Sequence, residues 1–255
     1  MTFSWNLLEY DTQLFGMKTA KVTHVKTDAV DELVQELKKQ GVEYATHRIE
    51  STRMDTISKL ESAGFVLVDG FVELEQNPET FKDTPINPSI RAATAADIPA
   101  LRSLAASSFV YNRFYNDPLI TKEQADTLFA DWIENSVAKI AADEVFVYEN
   151  EGDIVGFVTI KYAGEIPLIA VSKNMQGQGI AKKLISHALH TFATRNSQPV
   201  TRNSQPETRN SKLSTVTIDT QLQNIPALRA YIRCGFLPAK SFFTYRWSSL
   251  SSIKA

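Results

Sequence analysis

A glycine-containing turn between an apolar strand and a helix is the strongest chemical signal in the sequence. The turn runs from Gln176 through Gly177, Gln178, Gly179 and Ile180 to Ala181. Glycines adopt backbone angles that other residues avoid, so successive N–H groups can point at one anion beside the positive end of a helix. The pattern therefore predicts a turn that binds a diphosphate. The dinucleotide fingerprint and the P-loop do not fit, because the turn lacks a third glycine and a Gly-Lys-Ser/Thr ending.

A second segment that could do chemistry follows downstream, from Asn224 to Phe236. Its sequence predicts a helix that Asn224 caps, that has Pro226 in its first turn and that Gly235 ends. Seven positions separate Asn224 from Tyr231. This spacing is about two helical turns, so both side chains are expected on nearly the same face. Tyr231 could then reach reacting atoms, and the alternative is an ordinary core residue of an amphipathic helix.

Together the two segments resemble the signature of the GCN5-related N-acetyltransferases, and the resemblance covers about residues 89–247. In that family Arg/Gln-x-x-Gly-x-Gly/Ala after a strand binds the diphosphate of coenzyme A. The resemblance implies acetyl-CoA as the co-substrate and Tyr231 as the general acid that protonates the departing thiolate. It also implies that the preceding strand pairs with the pantetheine arm and stabilises the oxyanion. The expected cofactor-binding residues are Leu168, Ile169, Ala170, Val171, Gln176, Gly177, Gln178, Gly179, Ile180, Ala181, Lys182, Asn224 and Tyr231.

Other segments, at 97–102, 112–114 and 132–135, resemble family members that acetylate nucleotide-linked amino sugars. The resemblance implies a small-molecule acceptor, dTDP-4-amino-4,6-dideoxygalactose, whose amine attacks the thioester directly during bacterial surface polysaccharide synthesis. The expected acceptor contacts are Arg113, Phe114, Tyr115 and Glu134. For the first three, a helix end that packs on the core is the alternative. Glu165 and Glu134 are candidates for the general base, and a chain of water molecules would also suffice.

Two further functions remain open from the sequence. The same chemistry could act on another acceptor, such as a different sugar nucleotide, a peptide amine or a polyamine. A non-catalytic module that binds acyl-CoA is the alternative from another class. An intact second motif that includes Tyr231 argues against such a module.

Composition narrows the function classes. The 255 residues are 43% hydrophobic with a formal net charge of −2, which argues against a nucleic-acid-binding protein. The N-terminal segment lacks the basic start and apolar run of a signal peptide, so a cytoplasmic protein without membrane insertion is expected. Cys234 is the only cysteine. No disulfide or cysteine-rich metal site can therefore form within the chain, and His187 and His190 are interpreted as a surface pair rather than metal ligands.

The order of predicted elements indicates an α/β (α+β) acetyltransferase fold, with a mixed, mostly antiparallel sheet and flanking helices. A proline-containing linker at 76–88 separates a truncated, similar half-domain at 1–75 from a catalytic domain at 89–248. The first half lacks a glycine-rich turn and is expected to bind no cofactor. Pro167 interrupts the predicted central strand Glu165–Val171, where the family splays that strand. An exposed edge strand could pair two protomers into a homodimer.

A seven-residue repeat in three copies, based on TRNSQP, occupies 195–212 of the catalytic domain. The units contain prolines and almost no apolar residues, so a coiled coil cannot form. The repeat is interpreted as a disordered loop lengthened by tandem duplication. Binding of an anionic partner by Arg195, Arg202 and Arg209 is the alternative.

Overall fold

The structure, a computed structural model, describes residues 2–78, 87–196 and 213–250. The strands in these ranges are β1 (Phe3–Leu7), β2 (Thr19–Val25), β3 (Tyr44–Glu50), β4 (Val66–Gln76), β5 (Ile90–Ala92), β6 (Glu144–Asn150), β7 (Asp153–Ile160), β8 (Glu165–Ile166), β9 (Ile169–Val171), β10 (Val216–Gln221) and β11 (Leu237–Ser248). The helices are α1 (Glu9–Phe15), α2 (Val30–Lys39), α3 (Met54–Ser62), α4 (Ile98–Ser108), α5 (Arg113–Asn116), α6 (Lys122–Val137), α7 (Ile180–Asn196) and α8 (Ile225–Arg233).

The strands form a seven-stranded sheet, ordered β1-β2-β3-β11-β4-β10-β8, and a four-stranded sheet, ordered β5-β6-β7-β9. Most neighbours are antiparallel, and β2 with β3 and β8 with β10 are parallel. The predicted fold class, a mixed and mostly antiparallel sheet with flanking helices, is confirmed. The C-terminal strand β11 lies between β3 and β4, so both halves of the chain contribute to one sheet.

The division into two domains at the linker stays a prediction. Most of that linker, 79–86, and most of the repeat, 197–212, lie outside the described residues. The shared sheet nevertheless has a consequence for function. Side chains from strands of the first half and of the second half can face the same cleft.

Helix α7 packs one apolar face onto the sheets. Ile180, Leu184, Ile185, Ala188 and Leu189 are buried and recur at the spacing of one helix face. They join a cluster that includes Ile218 of β10 and Tyr231 of α8. Burial of each large apolar side chain contributes about 1.5–3 kcal/mol, so this packing fixes the turn that precedes α7.

A second cluster holds α4, α5 and α6 against the four-stranded sheet and also reaches the first half of the chain. Phe114 of α5 packs on Phe15 of α1, with ring centroids 5.8 Å apart. Tyr44 of β3 belongs to the same cluster and is fully buried. The two halves are therefore joined by a common core as well as by a common sheet.

The predicted strand Glu165–Val171 is divided at Pro167. Before it, β8 pairs in parallel with β10 of the larger sheet. After it, β9 pairs antiparallel with β7 of the smaller sheet. Proline has no N–H to donate to a ladder, so it suits the point at which the chain leaves one sheet for the other. The two sheets diverge beyond Ile166 and leave an open cleft.

Candidate active site

A cleft of about 1380 Å³ opens between β9 and β10. Its walls include the turn before α7, the inward side of α8, and the loop and helix around Arg113. At the other end its floor is a face of the seven-stranded sheet. The cleft therefore has one end at the glycine turn and another end under α5.

The glycine turn has the conformation that the sequence predicts. Gly177 and Gly179 have φ angles of +79° and +76°, in the left-handed region. A Cβ at either position would meet nothing within 4 Å. The backbone angle, rather than lack of space, is the reason for glycine here. Helix α7 then begins at Ile180, so its first N–H groups lie beside the turn.

Most of the predicted cofactor-binding residues line the cleft. They are Leu168, Ile169, Ala170, Val171, Gln176, Gly177, Gly179, Ile180, Ala181, Lys182, Asn224 and Tyr231. Gln178 is the exception, because its Nε2 points to the Met175 sulfur at 3.6 Å. Lys183 also points elsewhere, and its Nζ donates to the Tyr148 hydroxyl at 3.1 Å.

Strand β9 presents a free edge to the cleft, because it is the last strand of its sheet. The Thr159 N–H donates to the Leu168 carbonyl at 2.8 Å. Antiparallel pairs alternate, so Leu168 and Ala170 face β7 while the N–H groups of Ile169 and Val171 face the cleft. An extended amide chain can pair with such an edge, and an outward N–H can stabilise an oxyanion.

Gln176 joins the turn to this edge. Its Nε2 donates to the Val171 carbonyl at 3.1 Å, and Val171 is the last residue of β9. The hydrogen bond fixes the distance between the diphosphate-binding turn and the strand that would hold the pantetheine arm. Both elements are thus held before a ligand arrives.

Helix α8 has the predicted cap and ends before Gly235. The Asn224 Oδ1 accepts from the Ala227 N–H at 3.3 Å, and the Asn224 Nδ2 donates to Thr220 on β10 at 3.1 Å. Tyr231 follows about two turns later and is 6% exposed. Burial, and secondly the charge of Asp219, raise the pKa of Tyr231 well above its ordinary value. The phenol is therefore protonated at neutral pH, which is the state required of a proton donor.

Cys234, the only cysteine of the chain, is poorly suited to catalysis. Burial raises the pKa of its thiol to about 11. The thiolate, not the thiol, attacks electrophiles, so this side chain is unreactive at neutral pH. It packs beside the cluster that contains Tyr231, as expected of a small apolar residue.

Arg113 and Phe114 lie at the other end of the cleft. The Arg113 guanidinium carbon lies 4.0 Å from the centroid of the Phe114 ring. The Arg113 Nη1 donates to the Tyr44 hydroxyl at 3.0 Å. The Tyr44 hydroxyl in turn donates to Asp117 Oδ2 at 2.9 Å. Arg113 is thus fixed by an aromatic ring and a buried polar chain.

Two of the predicted acceptor contacts do not line the cleft. The Tyr115 hydroxyl lies 2.9 Å from Asp126 Oδ1, and its ring stacks on Phe129. Glu134 pairs with Arg102 between α4 and α6. Glu165, a candidate base, does line the cleft and forms an ion pair with Lys161 at 3.2 Å.

Sequence reasoning missed the polar residues that the first half contributes to the cleft. Arg48 comes from β3, and Asp69 and Glu73 come from β4. Asp219 on β10 completes this group of charged residues. Charged side chains inside otherwise apolar strands are the signal that could have found them. Their convergence depends on the insertion of β11 between β3 and β4, which no local pattern reveals.

Asp69 is an unusual carboxylate. Its side chain is 5% exposed, and its Oδ1 has no hydrogen-bond partner among the described residues. Burial raises its pKa to about 6, although Arg113 and Arg48 act in the opposite direction. Thr244 pairs with Asp69 across β11 and β4 and has a buried hydroxyl that also lacks a partner in the described ranges. Both residues line the cleft.

Within residues 2–78, 87–196 and 213–250, no three His, Cys, Asp or Glu side chains converge in a manner that could hold a metal ion. His187 packs edge-on against Phe146, with ring centroids 4.4 Å apart. Among the described helices, none has both the length and the apolar character needed to span a bilayer.

Comparison with known proteins gives a consistent picture. A family model described as "Acetyltransferase (GNAT) domain" matches residues 117–211. The spore coat polysaccharide biosynthesis protein SpsD of Bacillus subtilis is 27% identical over 181 residues, which cover 70% of this chain and 57% of that protein. The dTDP-fucosamine acetyltransferase of Escherichia coli O6:H1 is 26% identical over 205 residues, which cover 78% of this chain and 80% of that protein.

The fold is also similar to that of solved N-acetyltransferase structures. The crystal structure of a GCN5-related N-acetyltransferase from Sphaerobacter thermophilus superposes with a TM-score of 0.61 at 15% identity, over 100% of this chain and 79% of that one. The domain match, the named relatives and the fold agree with the glycine turn and the capped helix that carries Tyr231. The chain therefore contains a match to an acetyltransferase (GNAT) domain at residues 117–211 and has the fold of the GCN5-related N-acetyltransferases, and it spans 57% of the length of the Bacillus subtilis relative.

Proposed function

We propose that this acetyltransferase moves the acetyl group of acetyl-CoA to the amine of a nucleotide-linked amino sugar. The leading acceptor is dTDP-4-amino-4,6-dideoxygalactose, in the cytoplasmic part of bacterial surface polysaccharide synthesis. The observation that carries the proposal is the continuity of the cleft, which joins the glycine turn, Tyr231 and Arg113. The names of the two relatives, one an amino-sugar acetyltransferase and one a polysaccharide biosynthesis protein, support the same acceptor class.

Acetyl-CoA would lie along β9. Its diphosphate would accept hydrogen bonds from the turn before α7, beside the positive end of that helix. Its pantetheine amides would pair with the outward edge of β9, where the N–H groups of Ile169 and Val171 are available. The thioester would then reach the point where β8 and β9 separate. Fixing it there supplies part of the rate acceleration through proximity.

The chemical step is direct aminolysis. The neutral amine attacks the thioester carbon, so a C–N bond forms while the carbonyl electron pair moves to oxygen. An outward N–H of β9 would stabilise that oxyanion. Collapse of the intermediate breaks the C–S bond and releases the thiolate of coenzyme A. Tyr231 donates its proton to that thiolate, and the amine proton leaves to a base or to water.

Tyr231 fits the role of acid because of its environment. Burial holds its phenol in the protonated form, and the neighbouring Asp219 charge has the same effect. The raised pKa also makes the phenol a weaker acid, so its role is to hold a proton in place for the departing thiolate, to which it first donates a hydrogen bond. Solvent would then return the proton to the phenol.

The direct test is an assay with acetyl-CoA and dTDP-4-amino-4,6-dideoxygalactose, followed by thiol release and by product mass. We expect acetylated sugar from the wild type and a turnover lower by about 10²-fold or more for Tyr231→Phe. The acetyl-CoA dissociation constant should change little, because the ring remains. Binding of acetyl-CoA without acetylation of this sugar would overturn the acceptor assignment and leave the acetyltransferase assignment standing.

A phosphate-free amine is a second candidate acceptor, favoured by the carboxylates at the acceptor end. Asp11, Asp69, Glu73 and Asp219 all line this part of the cleft. A polyamine would be attracted to them. Parallel assays with spermidine and with the sugar nucleotide compare the two acceptors directly. A higher kcat/KM for spermidine would favour this second candidate.

A further inference from the structure

The acceptor end of the cleft holds two arginines from different halves of the chain. Arg48 lies on β3 in the sheet that forms the floor, and Arg113 begins α5 at the other wall. The positive charge of Arg113 contributes to lowering the pKa of Arg48, after the larger effect of partial desolvation in the cleft. Two like charges brought together in a cleft repel each other, unless an anion shared by both compensates.

Each guanidinium is held against an aromatic ring. The Arg48 guanidinium carbon lies 3.6 Å from the centroid of the Phe71 ring, and Arg113 lies 4.0 Å from that of Phe114. Such stacking fixes the plane of the guanidinium and occupies only one of its faces. The N–H groups along its edge remain available for oxygen atoms of a ligand.

The protein leaves most of those N–H groups unused. Arg113 donates to Tyr44 through Nη1, and within the described ranges its Nε and Nη2 have no protein partner. Arg48 lies 3.8 Å from Asp219, which is an ion pair beyond hydrogen-bond distance, and its side chain is 48% exposed. Planar guanidinium groups with free edges match phosphate oxygens, which can accept two hydrogen bonds from each group.

The position of Arg48 relative to the site of acetyl transfer also suits a nucleotide-linked amino sugar. Arg48 approaches Asp219, and the charge of Asp219 acts on Tyr231. Asp219 directly follows Ile218, which pairs with Ile166 just before the sheets diverge. In a 4-amino sugar nucleotide, a single pyranose ring separates the amine from the first phosphate. A diphosphate on Arg48 would therefore leave the amine near the point of acetyl transfer.

The carboxylates at this end are compatible with such a ligand. Asp69 is buried and has a free acceptor atom, so in its ionised form it accepts from a hydroxyl or N–H of a ligand. The two arginines offer free donors to phosphate oxygens, and Asp69 offers a free acceptor to a hydroxyl or amine. This combination suits a ligand that carries both kinds of group. A polyamine would use only the carboxylates and would be repelled by the arginines.

We infer that Arg48 and Arg113 together form a diphosphate clamp for the acceptor, built from both halves of the chain. The inference rests on the proposed function and specifies its acceptor, because the amine must be linked to a nucleoside diphosphate. It also assigns the first half of the chain a direct role in acceptor binding. Neither half would form the clamp alone.

The test is calorimetric titration of dTDP into the full chain saturated with coenzyme A, so that the glycine turn is already occupied. We expect wild-type protein to bind dTDP more tightly than dTMP, and thymidine weakest. Arg48→Ala and Arg113→Ala should each weaken dTDP binding by about tenfold or more. Arg48→Lys keeps the positive charge and should weaken dTDP binding less than Arg48→Ala does. Lys39→Ala removes an exposed positive charge from the last turn of α2 and should leave dTDP binding unchanged.

Equal affinity for dTDP and thymidine, or wild-type affinity in Arg48→Ala, would overturn the clamp. Unchanged binding of coenzyme A by each variant confirms that the protein is folded. Because dTDP binding needs no acetyl transfer, the two proposals fail separately. Equal kcat/KM for the free and the dTDP-linked amino sugar would overturn the clamp and leave acetyl transfer intact. Arginine-dependent dTDP binding without any amino-sugar acetylation would support the clamp and contradict the proposed reaction.

Discussion

Thr159 and Leu168 are joined by reciprocal hydrogen bonds at the point where the chain passes from one sheet to the other. The Thr159 N–H donates to the Leu168 carbonyl at 2.8 Å, and the Leu168 N–H donates to the Thr159 Oγ1 at 2.9 Å. The side-chain acceptor replaces the backbone partner that Leu168 would otherwise need. The start of β9 is thereby fixed directly before Ile169, whose N–H faces the cleft.

Removal of the Thr159 hydroxyl should disturb this edge. In Thr159→Val the buried Leu168 N–H loses its acceptor, which is expected to lower the free energy of unfolding by about 1–3 kcal/mol. The same change should raise the acetyl-CoA dissociation constant by roughly three- to tenfold, because the cleft-facing edge is less rigid. Urea unfolding and calorimetry measure the two effects. Thr159→Ser keeps the acceptor, so equal acetyl-CoA affinities for the Ser and Val variants would contradict the argument.

The glycine turn allows a test that separates stability from binding. Gly179→Ala adds a methyl group that meets no atom within 4 Å, but it forces alanine to a φ of +76°. We expect a loss of about 1–2 kcal/mol in stability from the left-handed backbone, together with weaker acetyl-CoA binding because the N–H groups of the turn shift.

Gly152→Ala is the matched control, since Gly152 has a φ of +90° and equally open space, in the hairpin between β6 and β7. It should lose similar stability and bind acetyl-CoA normally. If both variants bind acetyl-CoA with wild-type affinity, the turn does not hold the diphosphate.

Local patterns were sufficient to predict the parts of the fold and site that depend on near neighbours. The glycine turn predicts the start of α7, and the cap at Asn224 with Gly235 predicts α8. The positive φ angles of the turn follow from its two glycines. In each case the information lies within a few residues of the feature.

Features that depend on distant pairing were not predicted. Strand β1 and helix α1 were missed, because their short segments have no clear period. The position of β11 between β3 and β4 brings Arg48 and Asp69 into the cleft, and such long-range pairing leaves no local signal.

Asp69 should give the protein a distinctive dependence of stability on pH. Its pKa is raised from 3.8 to about 6, so the folded state holds a proton that the unfolded state releases between these values. Stability therefore falls as pH rises through this window, by up to about 3 kcal/mol at roughly 1.4 kcal/mol per pKa unit. Asp69→Asn removes this contribution. The free energy of unfolding of the variant minus that of the wild type should therefore be larger at pH 8 than at pH 4.

Urea unfolding of both proteins at pH 4, 6 and 8 measures this difference, and other titrating groups cancel in the comparison. A difference in stability that does not vary with pH would show that the Asp69 carboxyl titrates normally.

Tyr44 should act on the acceptor through Arg113. Tyr44→Phe removes the hydroxyl that accepts from Arg113 at 3.0 Å and donates to Asp117 at 2.9 Å. Asp117 retains Arg246 at 2.6 Å, so the expected stability loss is moderate, about 1–3 kcal/mol. With Arg113 released, KM for the sugar nucleotide should rise several-fold, while kcat and the KM for acetyl-CoA change little.

Tyr245→Phe provides the comparison that isolates this positioning effect. Tyr245 is 2% exposed, and its hydroxyl donates to Glu61 at 2.8 Å, away from the cleft. Loss of that hydrogen bond should lower stability to a similar degree without changing either KM. If the two variants alter the KM for the sugar nucleotide equally, general destabilisation rather than the position of Arg113 is the cause. Steady-state kinetics at matched fractions of folded protein distinguish these outcomes.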